Sequence, residues 1–147
     1  THEHLKREFY YIFENATYPG VPKLDLHQIE QESFLVGDIS LTPIPVLHGK
    51  MPVLGFRVGN FAYITDANYI PPESYKLLEG IEILVLNALR LTPHHSHFHL
   101  EEAIEVTNKI GAKKAYFTHI SHLMGLQRDI ELPAHIQLAH DGLVLQW

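Results

Sequence analysis

The stretch AYFTHISHLMG, Ala115 to Gly125, runs from an apolar, aromatic segment straight into two histidines. Its first part, through Thr118, has the aromatic and β-branched residues typical of a strand. His119 and His122 follow, three residues apart. Neither is needed by a core strand, so they are either ligands, bases or solvated side chains. The stretch therefore predicts a buried strand that presents polar chemistry at its carboxyl end.

A strand–helix–strand unit leads into this stretch. Residues 81–88, IEILVLNA, are nearly all apolar, as in a strand that is buried on both faces. Residues 100–110, LEEAIEVTNKI, place apolar side chains at helical spacing, and Gly111 follows as a C-cap. A strand after a helical crossover pairs in parallel with the strand before it, with a right-handed connection. The fold class predicted is therefore α/β, with a mixed β-sheet and helices on at least one face.

Turn-forming residues divide the rest of the chain into short elements. The 147 residues fit one domain, and no repeat or linker interrupts them. We therefore predict a single domain over residues 1–147. The remaining predicted elements are a helix over 1–14, a loop over 15–24, strand pairs turning at Gly37-Asp38 and Gly59-Asn60, a short helix from Pro72 to Leu78, and a closing hairpin that turns at Asp141-Gly142.

Composition excludes several classes of protein. Hydrophobic residues make up 46% and charged residues 19%, the profile of a globular domain. The net charge of −6 makes a nucleic-acid partner an unfavoured interpretation. The absence of cysteine excludes a thiolate metal site. No apolar run approaches the roughly 20 residues of a membrane span. No signal-peptide pattern opens the chain, so we expect no membrane partner and a cytoplasmic location.

Histidine and aspartate recur where the predicted strands end. Twelve of the 147 residues are His, the commonest metal ligand. IPVL runs into His48, FAYIT into Asp66, ILVLNA into a loop containing His94–His99, and AYFT into His119. Sites in such sheets collect outside the carboxyl ends of the strands. Imidazole and carboxylate together suit Zn²⁺, Mn²⁺ or Fe. The pattern therefore predicts a metal centre at this edge.

Simpler interpretations exist for each residue taken alone. A single His after a strand is more often a surface-loop residue than a ligand. Asp66 could merely cap a turn. The His94–His99 loop could be a solvated segment that binds metals adventitiously. The coincidence of several such residues at equivalent strand ends is what favours the metal centre.

Six stretches, in this order and spacing, resemble the metallo-β-lactamase-fold hydrolases. The similarity is strongest to the cyclic-phosphate phosphodiesterases related to phosphonate breakdown, with the tRNA 3′-processing endonucleases as more distant cousins. It covers the whole chain but only the second half of the family's domain. The stretches are PIPVLHG (43–49), AYITDA (62–67), ILVLNALR (83–90), HSHFHLEEAIEV (95–106), AYFTHISHLMG (115–125) and LAHDGLVLQ (138–146).

The resemblance implies a centre of two divalent metal ions, Zn or Mn, that hydrolyses a small phosphodiester, including a cyclic one. Such a centre clamps the phosphoryl group and supplies a hydroxide for in-line attack. The amino terminus of the helix over 100–110 would favour the binding of a phosphate, because free backbone N–H groups and the positive end of the helix dipole lie there. The resemblance implies that His48 is a ligand of the first metal, that His119 is a ligand of the second, and that Asp66 bridges both. It implies that His97 is the catalytic group, which orients the phosphate or protonates the leaving oxygen. His99 and His122 are implied as supporting residues.

One departure from the family is large. The defining His-x-His-x-Asp-His motif is absent, because THEH at residues 1–4 is not followed by Asp-His. We therefore expect the chain to be the C-terminal half of the family's αββα sandwich, a partial domain that is inactive alone. The sheet surface that the other half would cover predicts a homo-oligomer.

Two other functions remain open at this stage. A hydrolase of the same fold could act on thioesters or lactams instead of phosphodiesters. Alternatively, a non-catalytic, His-rich module would bind metal through His94–His99 and would not depend on Asp66.

Overall fold

The chain divides into two compact units, Thr1–Glu30 and Gln31–Trp147. This division comes from a computed structural model, which describes residues 2–13, 20 and 22–146. The single domain over residues 1–147 stays a prediction. Within the described residues, no helix has the length and apolar character needed to cross a membrane.

The first unit contains two short helices, α1 (His2–Glu8) and α2 (Tyr10–Phe13). The backbone N–H of Phe9 donates to the carbonyl of Leu5 at 2.9 Å, so the helical course continues between them. The predicted helix over 1–14 is thus present as two pieces that bury no side chain. Thr1 and Glu14 of the predicted helix, and residues 15–19 and 21 of the predicted loop, lie outside the described residues.

The second unit is built on one mixed sheet of seven strands, in the order in which they occur along the chain. The first four strands pair antiparallel, and the fourth to seventh pair in parallel. The predicted α/β class with a mixed sheet is confirmed. The strands are β1 (Phe34–Val36), β2 (Ile39–His48), β3 (Met51–Val58), β4 (Phe61–Ile64), β5 (Ile83–Asn87), β6 (Lys114–Thr118) and β7 (Ile136–Leu138).

Two further helices connect the strands. Helix α3 (Pro72–Tyr75) begins at a proline and continues into a 3₁₀ turn, Lys76–Leu78. Helix α4 (Leu100–Ile110) links β5 to β6 and is capped by Gly111, whose φ of 77° is the left-handed conformation that glycine adopts readily. The predicted helix over 100–110 and the parallel pairing of the strands around it are confirmed. Two 3₁₀ turns, His122–Met124 and Gln127–Asp129, follow β6.

The core lies along one face of this sheet. Ile64, Leu86 and Phe117 are register partners on β4, β5 and β6, and each is fully buried. Ala103 of α4 belongs to the same cluster of buried side chains. Burying each large side chain contributes about 1.5–3 kcal/mol, so the row fixes the three strands side by side. Because these strands run in parallel, their carboxyl ends meet at one edge.

The predicted closing hairpin is wrong. The turn at Asp141-Gly142 forms, with the Leu143 N–H donating to the carbonyl of His140 at 3.1 Å. Residues 143–146, however, form no strand. β7 pairs in parallel with β6 instead. Extending the main sheet buries Ile136, whereas Val144 is 78% exposed and has little to pack against.

Candidate metal centre

Asp66 stands at the middle of a group of histidines. One of its carboxylate oxygens, Oδ1, lies 3.1 Å from Nε2 of His97 and 3.2 Å from Nε2 of His119. The rings of His97 and His119 stack with centroids 4.8 Å apart and an interplanar angle of 12°. The ends of β4 and β6 and the loop after β5 therefore bring three of the predicted residues together.

His48, the last residue of β2, completes the group. Its ring meets the His97 ring edge-on, with centroids 4.6 Å apart. Its Nε2 is buried and has no hydrogen-bond partner among the described residues. Donor atoms of His48, Asp66 and His97 all lie within 4.8 Å of one another. A buried imidazole nitrogen without a partner is costly, and a metal ion among these donors would satisfy it. The residues therefore fit a divalent cation.

Two of these residues have an unusual backbone. Asp66 has a φ of 51° and His119 a φ of 56°, and among the described residues no other non-glycine residue has a positive φ. Such conformations cost about 1–3 kcal/mol each and persist where the surrounding structure enforces them. Both occur just after a strand of the parallel sheet. Strain of this kind concentrates at functional sites, which agrees with the placement of the donors.

The other nitrogen of His97 is held within its own loop. His97 Nδ1 lies 3.1 Å from Nδ1 of His94 and 3.0 Å from the hydroxyl of Ser96. Since Nδ1 is occupied on this side, Nε2 is the atom directed to Asp66. Sequence reasoning placed His94 only in a His-rich loop and did not single out Ser96. Both residues orient the ring of His97.

Burial favours the neutral form of this imidazole. It lowers the pKa of His97, and the hydrogen bond from its ring to Asp66 opposes the shift, while His119 and His48 act with burial. Partial burial also lowers the pKa of His94, with neighbouring His95 as the next cause. The neutral imidazole is the form that has a lone pair for a metal or a proton.

His99 lies outside the Asp66 group and caps α4. Its backbone N–H donates to the carboxylate of Glu102 at 3.1 Å, and its Nδ1 lies 2.7 Å from the same carboxylate. Its Nε2 lies 3.9 Å from Glu101. Glu102 therefore caps the amino terminus of α4 through the backbone N–H of His99, and binding of a phosphate at this terminus stays a prediction. His122 is exposed in the 3₁₀ turn after β6. The supporting roles of His99 and His122 stay predictions.

Two asparagines tie the loops of the centre together and were missed by sequence reasoning. Asn68 accepts the Gly49 N–H at 2.6 Å, and its amide lies 3.4 Å from the carbonyl of His95. It thus joins the turn after His48 to the histidine loop. Asn87 binds the backbone next to Asp66. No local spacing identifies either residue, because their partners are about 20 residues or more away in sequence.

Residues 1–120 match the family model of the β-lactamase superfamily domain. The chain belongs to this superfamily. It is similar to the crystal structure of a diphosphatase of the PhnP family, with 38% identity, a TM-score of 0.87, and coverage of 100% of this chain and 55% of that one. It also resembles YhfI of Bacillus subtilis, a metallo-β-lactamase-fold protein, at 15% identity and a TM-score of 0.71, covering 93% of this chain and 59% of that one. The predicted fold family is confirmed.

A curated relative is named octanoyltransferase, from Porphyromonas gingivalis (strain ATCC BAA-308 / W83). The two sequences are 34% identical over 143 residues, which is 95% of this chain and 29% of the relative. The chain thus spans less than a third of this relative and about half of the diphosphatase. The superfamily fold is largely hydrolytic and implies divalent metal ions, and the His48–Asp66–His97 group is a possible site for one.

Proposed function

We propose that this chain supplies part of the metal centre of a hydrolase that cleaves a small phosphodiester, including a cyclic one. The observation that carries this proposal is the convergence of three imidazoles on one carboxylate, Asp66. The similarity over the full chain to a PhnP-family diphosphatase favours a phosphate-containing substrate.

His48, Asp66 and His119 would serve as ligands of Zn²⁺ or Mn²⁺ ions. When bound, such an ion polarises a phosphoryl oxygen and makes a water nucleophilic near neutral pH. A catalytic site takes three protein ligands and leaves a position open. These three residues and His97 are enough for one ion, and a second ion requires donors beyond them.

His97 would act on the substrate. The hydrogen bonds at its Nδ1 hold the ring still, and its Nε2 points into the centre. A neutral His97 ring with its proton on Nε2 would donate a hydrogen bond to a phosphoryl oxygen. The imidazolium form would pass its Nε2 proton to the leaving oxygen and so return to the neutral ring. Proton transfer by a positioned side chain contributes about 10²–10⁴ in rate. The nearness of His97 to the donors of His48 and Asp66 also allows it to act as a ligand.

Hydrolysis of an acyl thioester is the second candidate. The match to a protein named octanoyltransferase favours it. Less than a third of that relative aligns with this chain, however, so the named activity can belong to the remainder.

A substrate panel decides between the two. The full-length protein, loaded with Zn²⁺ or Mn²⁺, is assayed on bis(4-nitrophenyl) phosphate, a 2′,3′-cyclic nucleotide, a dinucleoside diphosphate, an octanoyl thioester and a β-lactam. We expect turnover of the phosphate compounds that Asp66→Asn abolishes. Turnover of the thioester alone would contradict the phosphodiester proposal. Metal bound equally well by Asp66→Asn, without turnover of anything, would support the non-catalytic His-rich module.

A further inference from the structure

The buried amide of Asn87 lies directly behind the candidate metal centre. Asn87 is the last residue of β5 and is fully buried. Its Oδ1 accepts the backbone N–H of Ala67 at 2.9 Å, and its Nδ2 donates to the carbonyl of Ala67 at 3.0 Å. One side chain thus binds both polar groups of the residue that follows Asp66.

These two hydrogen bonds act on the strained part of the chain. Ala67 is fully buried, so its N–H and C=O need partners within the protein. Asp66, one residue earlier, has a φ of 51°. Strained residues persist only when surrounding contacts fix them. Asn87 binds the backbone of Ala67, immediately after the strained residue. These hydrogen bonds therefore restrain the backbone of Asp66 and with it the direction of the Asp66 side chain.

The same short segment also holds the loop of His97. The N–H of Phe98 donates to the carbonyl of Ala67 at 2.8 Å, the same oxygen that Asn87 binds. The carbonyl of Phe98 in turn accepts the N–H of Leu89 at 2.9 Å. His97, which precedes Phe98, is therefore placed relative to Asp66 by hydrogen bonds that meet at Ala67 and continue to the end of β5.

His119 is attached to this segment from the other side. The N–H of Ala88 donates to the carbonyl of Thr118 at 3.0 Å, and the N–H of Ser121 donates to the carbonyl of Leu89 at 2.9 Å. Thr118 and Ser121, which take part in these bonds, lie on either side of His119 in the sequence. Residues 87–89 therefore connect the backbones that carry three of the four donors, and Asn87 provides the part of the connection made by a side chain.

We propose that Asn87 is a positioning residue that sets Asp66 against His97 and His119, and so prepares the centre to hold its cation. The functional part of this inference rests on the proposed metal centre. Its structural part does not, because Asn87 makes both hydrogen bonds to the backbone of Ala67. Outer residues that orient metal ligands typically contribute 10- to 100-fold in metal affinity.

Two variants test this role. Asn87→Leu keeps the approximate shape and removes both hydrogen bonds. Asn87→Ser keeps a hydroxyl that is too short to reach both groups of Ala67, and it replaces the first variant if that one does not fold. Thr107→Val is the matched control, because Thr107 is also fully buried and donates one side-chain hydrogen bond, to the carbonyl of Ala103 at 2.8 Å within α4.

The first measurement is the crystal structure of the metal-free variants. We expect Asp66 to leave its left-handed conformation, or its Oδ1 to withdraw from the two imidazoles, in the Asn87 variants and not in Thr107→Val. Retention of a φ near 51° and of both contacts in the Asn87 variants would overturn the inference.

The second measurement is zinc affinity by competition with a chromophoric chelator, alongside thermal unfolding. We expect the Asn87 variants to bind zinc about 10- to 100-fold more weakly than the wild type, and Thr107→Val to bind normally at a comparable loss of stability. Equal zinc affinity in all variants would overturn the role of Asn87. Absence of zinc binding by the wild type would instead overturn the proposed metal centre, and the metal-free structures would still decide the inference.

Discussion

Asp66 and His119 share a left-handed backbone conformation, with φ values of 51° and 56°, and their side chains meet with Oδ1 and Nε2 3.2 Å apart. Both follow parallel strands, β4 and β6, which are separated by β5. Aspartate and histidine tolerate this conformation better than most residues, yet it still costs free energy. The fold therefore holds two strained residues so that their side chains converge. Such convergence is expected where a carboxylate and an imidazole bind the same cation.

Replacing Asp66 by Asn tests the centre with little disturbance of the fold. Asparagine also tolerates a positive φ, so we expect normal circular dichroism and thermal unfolding. The neutral amide is a poorer metal ligand than a carboxylate, and we expect zinc affinity to fall by about 100-fold or more, beyond the usual effect of an outer residue. Isothermal titration with Zn²⁺ measures it. Asp129→Asn, at an exposed position in a 3₁₀ turn, is the control. Unchanged zinc affinity in Asp66→Asn would remove Asp66 from the centre.

Replacing His97 separates a ligand from a residue that acts on substrate. In the full-length protein, we expect His97→Ala to keep its metal and to lose about 10²–10⁴ in kcat, because the group that contacts the phosphate is gone. Metal content by elemental analysis and turnover of a phosphodiester are measured on the same sample. His95→Ala, at an exposed neighbour in the same loop, should retain both. Loss of metal together with activity would assign His97 as a ligand.

The strand–helix–strand unit could be predicted because each of its signals is local. Helix α4 shows a helical apolar spacing that stops at Gly111, and β5 is a nearly continuous apolar run. The closing hairpin could not be predicted in the same way. Asp141-Gly142 correctly indicates a turn, but a turn does not fix which strand its neighbours join. β7 joins β6, because the open edge of the main sheet buries its apolar residues.

The placement of His48, Asp66 and His119 at one edge could also be predicted, since each follows an apolar run that ends there, and their roles as ligands stay predictions. The support behind them could not. Asn87 is one polar residue at the end of a buried strand, and its partner, Ala67, is 20 residues away and carries no chemical signal. Helical periodicity likewise showed where α4 begins, but not that Glu102 would occupy its amino terminus.

Acid should remove one surface contribution to stability. The carboxylate of Glu82 accepts hydrogen bonds from Lys113 and from Asn60, and the Lys113 ammonium lowers the pKa of Glu82, first by the hydrogen bond and then by its charge. Since the folded pKa lies below the unfolded one, the pair stabilises the protein above the unfolded pKa. This contribution is lost as the pH falls through the folded pKa.

We therefore expect Lys113→Met to lower the Tm slightly at pH 7, with a difference from wild type that disappears as the solution is acidified below the normal range of Glu. The effect is small because both side chains are exposed to solvent. Calorimetry at several pH values measures it. Lys114→Met, at the next exposed lysine, is the control. A Tm difference that stays constant down to strongly acidic pH would contradict the assignment to Glu82.

The number of donors limits what the 147-residue chain can do alone. Three imidazoles and one carboxylate converge, and the chain has no His-x-His-x-Asp-His motif. Because a catalytic metal takes about three protein ligands, these four donors hold about one ion per chain. The resemblance implies a centre of two ions, so we expect no turnover of phosphodiesters by this chain with added Zn²⁺ or Mn²⁺. Elemental analysis and a chromogenic assay test this. Turnover by the purified chain that Asp66→Asn abolishes would show that four donors suffice.

Self-association is the last expectation, and the edge of the sheet gives it a location. β1 lies at the end of the strand order and pairs with β2 alone among the strands of the described residues. Leu35 and Val36 on β1 are 70% and 57% exposed, and Ile39, opposite Val36, is 54% exposed. An apolar edge strand with free backbone groups is a template for pairing with another chain. We propose that two copies pair through this edge.

Size-exclusion chromatography with light scattering tests the pairing at micromolar concentration. We expect a dimer for the wild type and a monomer for Val36→Lys, because a lysine on an edge strand repels its counterpart and must remain hydrated. Val144→Lys makes the same chemical change at another exposed position, outside any strand, and should leave the dimer intact. A wild-type monomer would contradict self-association. A dimer that survives Val36→Lys would place the contact on another surface. Substitutions on the apolar faces of the sheet would then locate it.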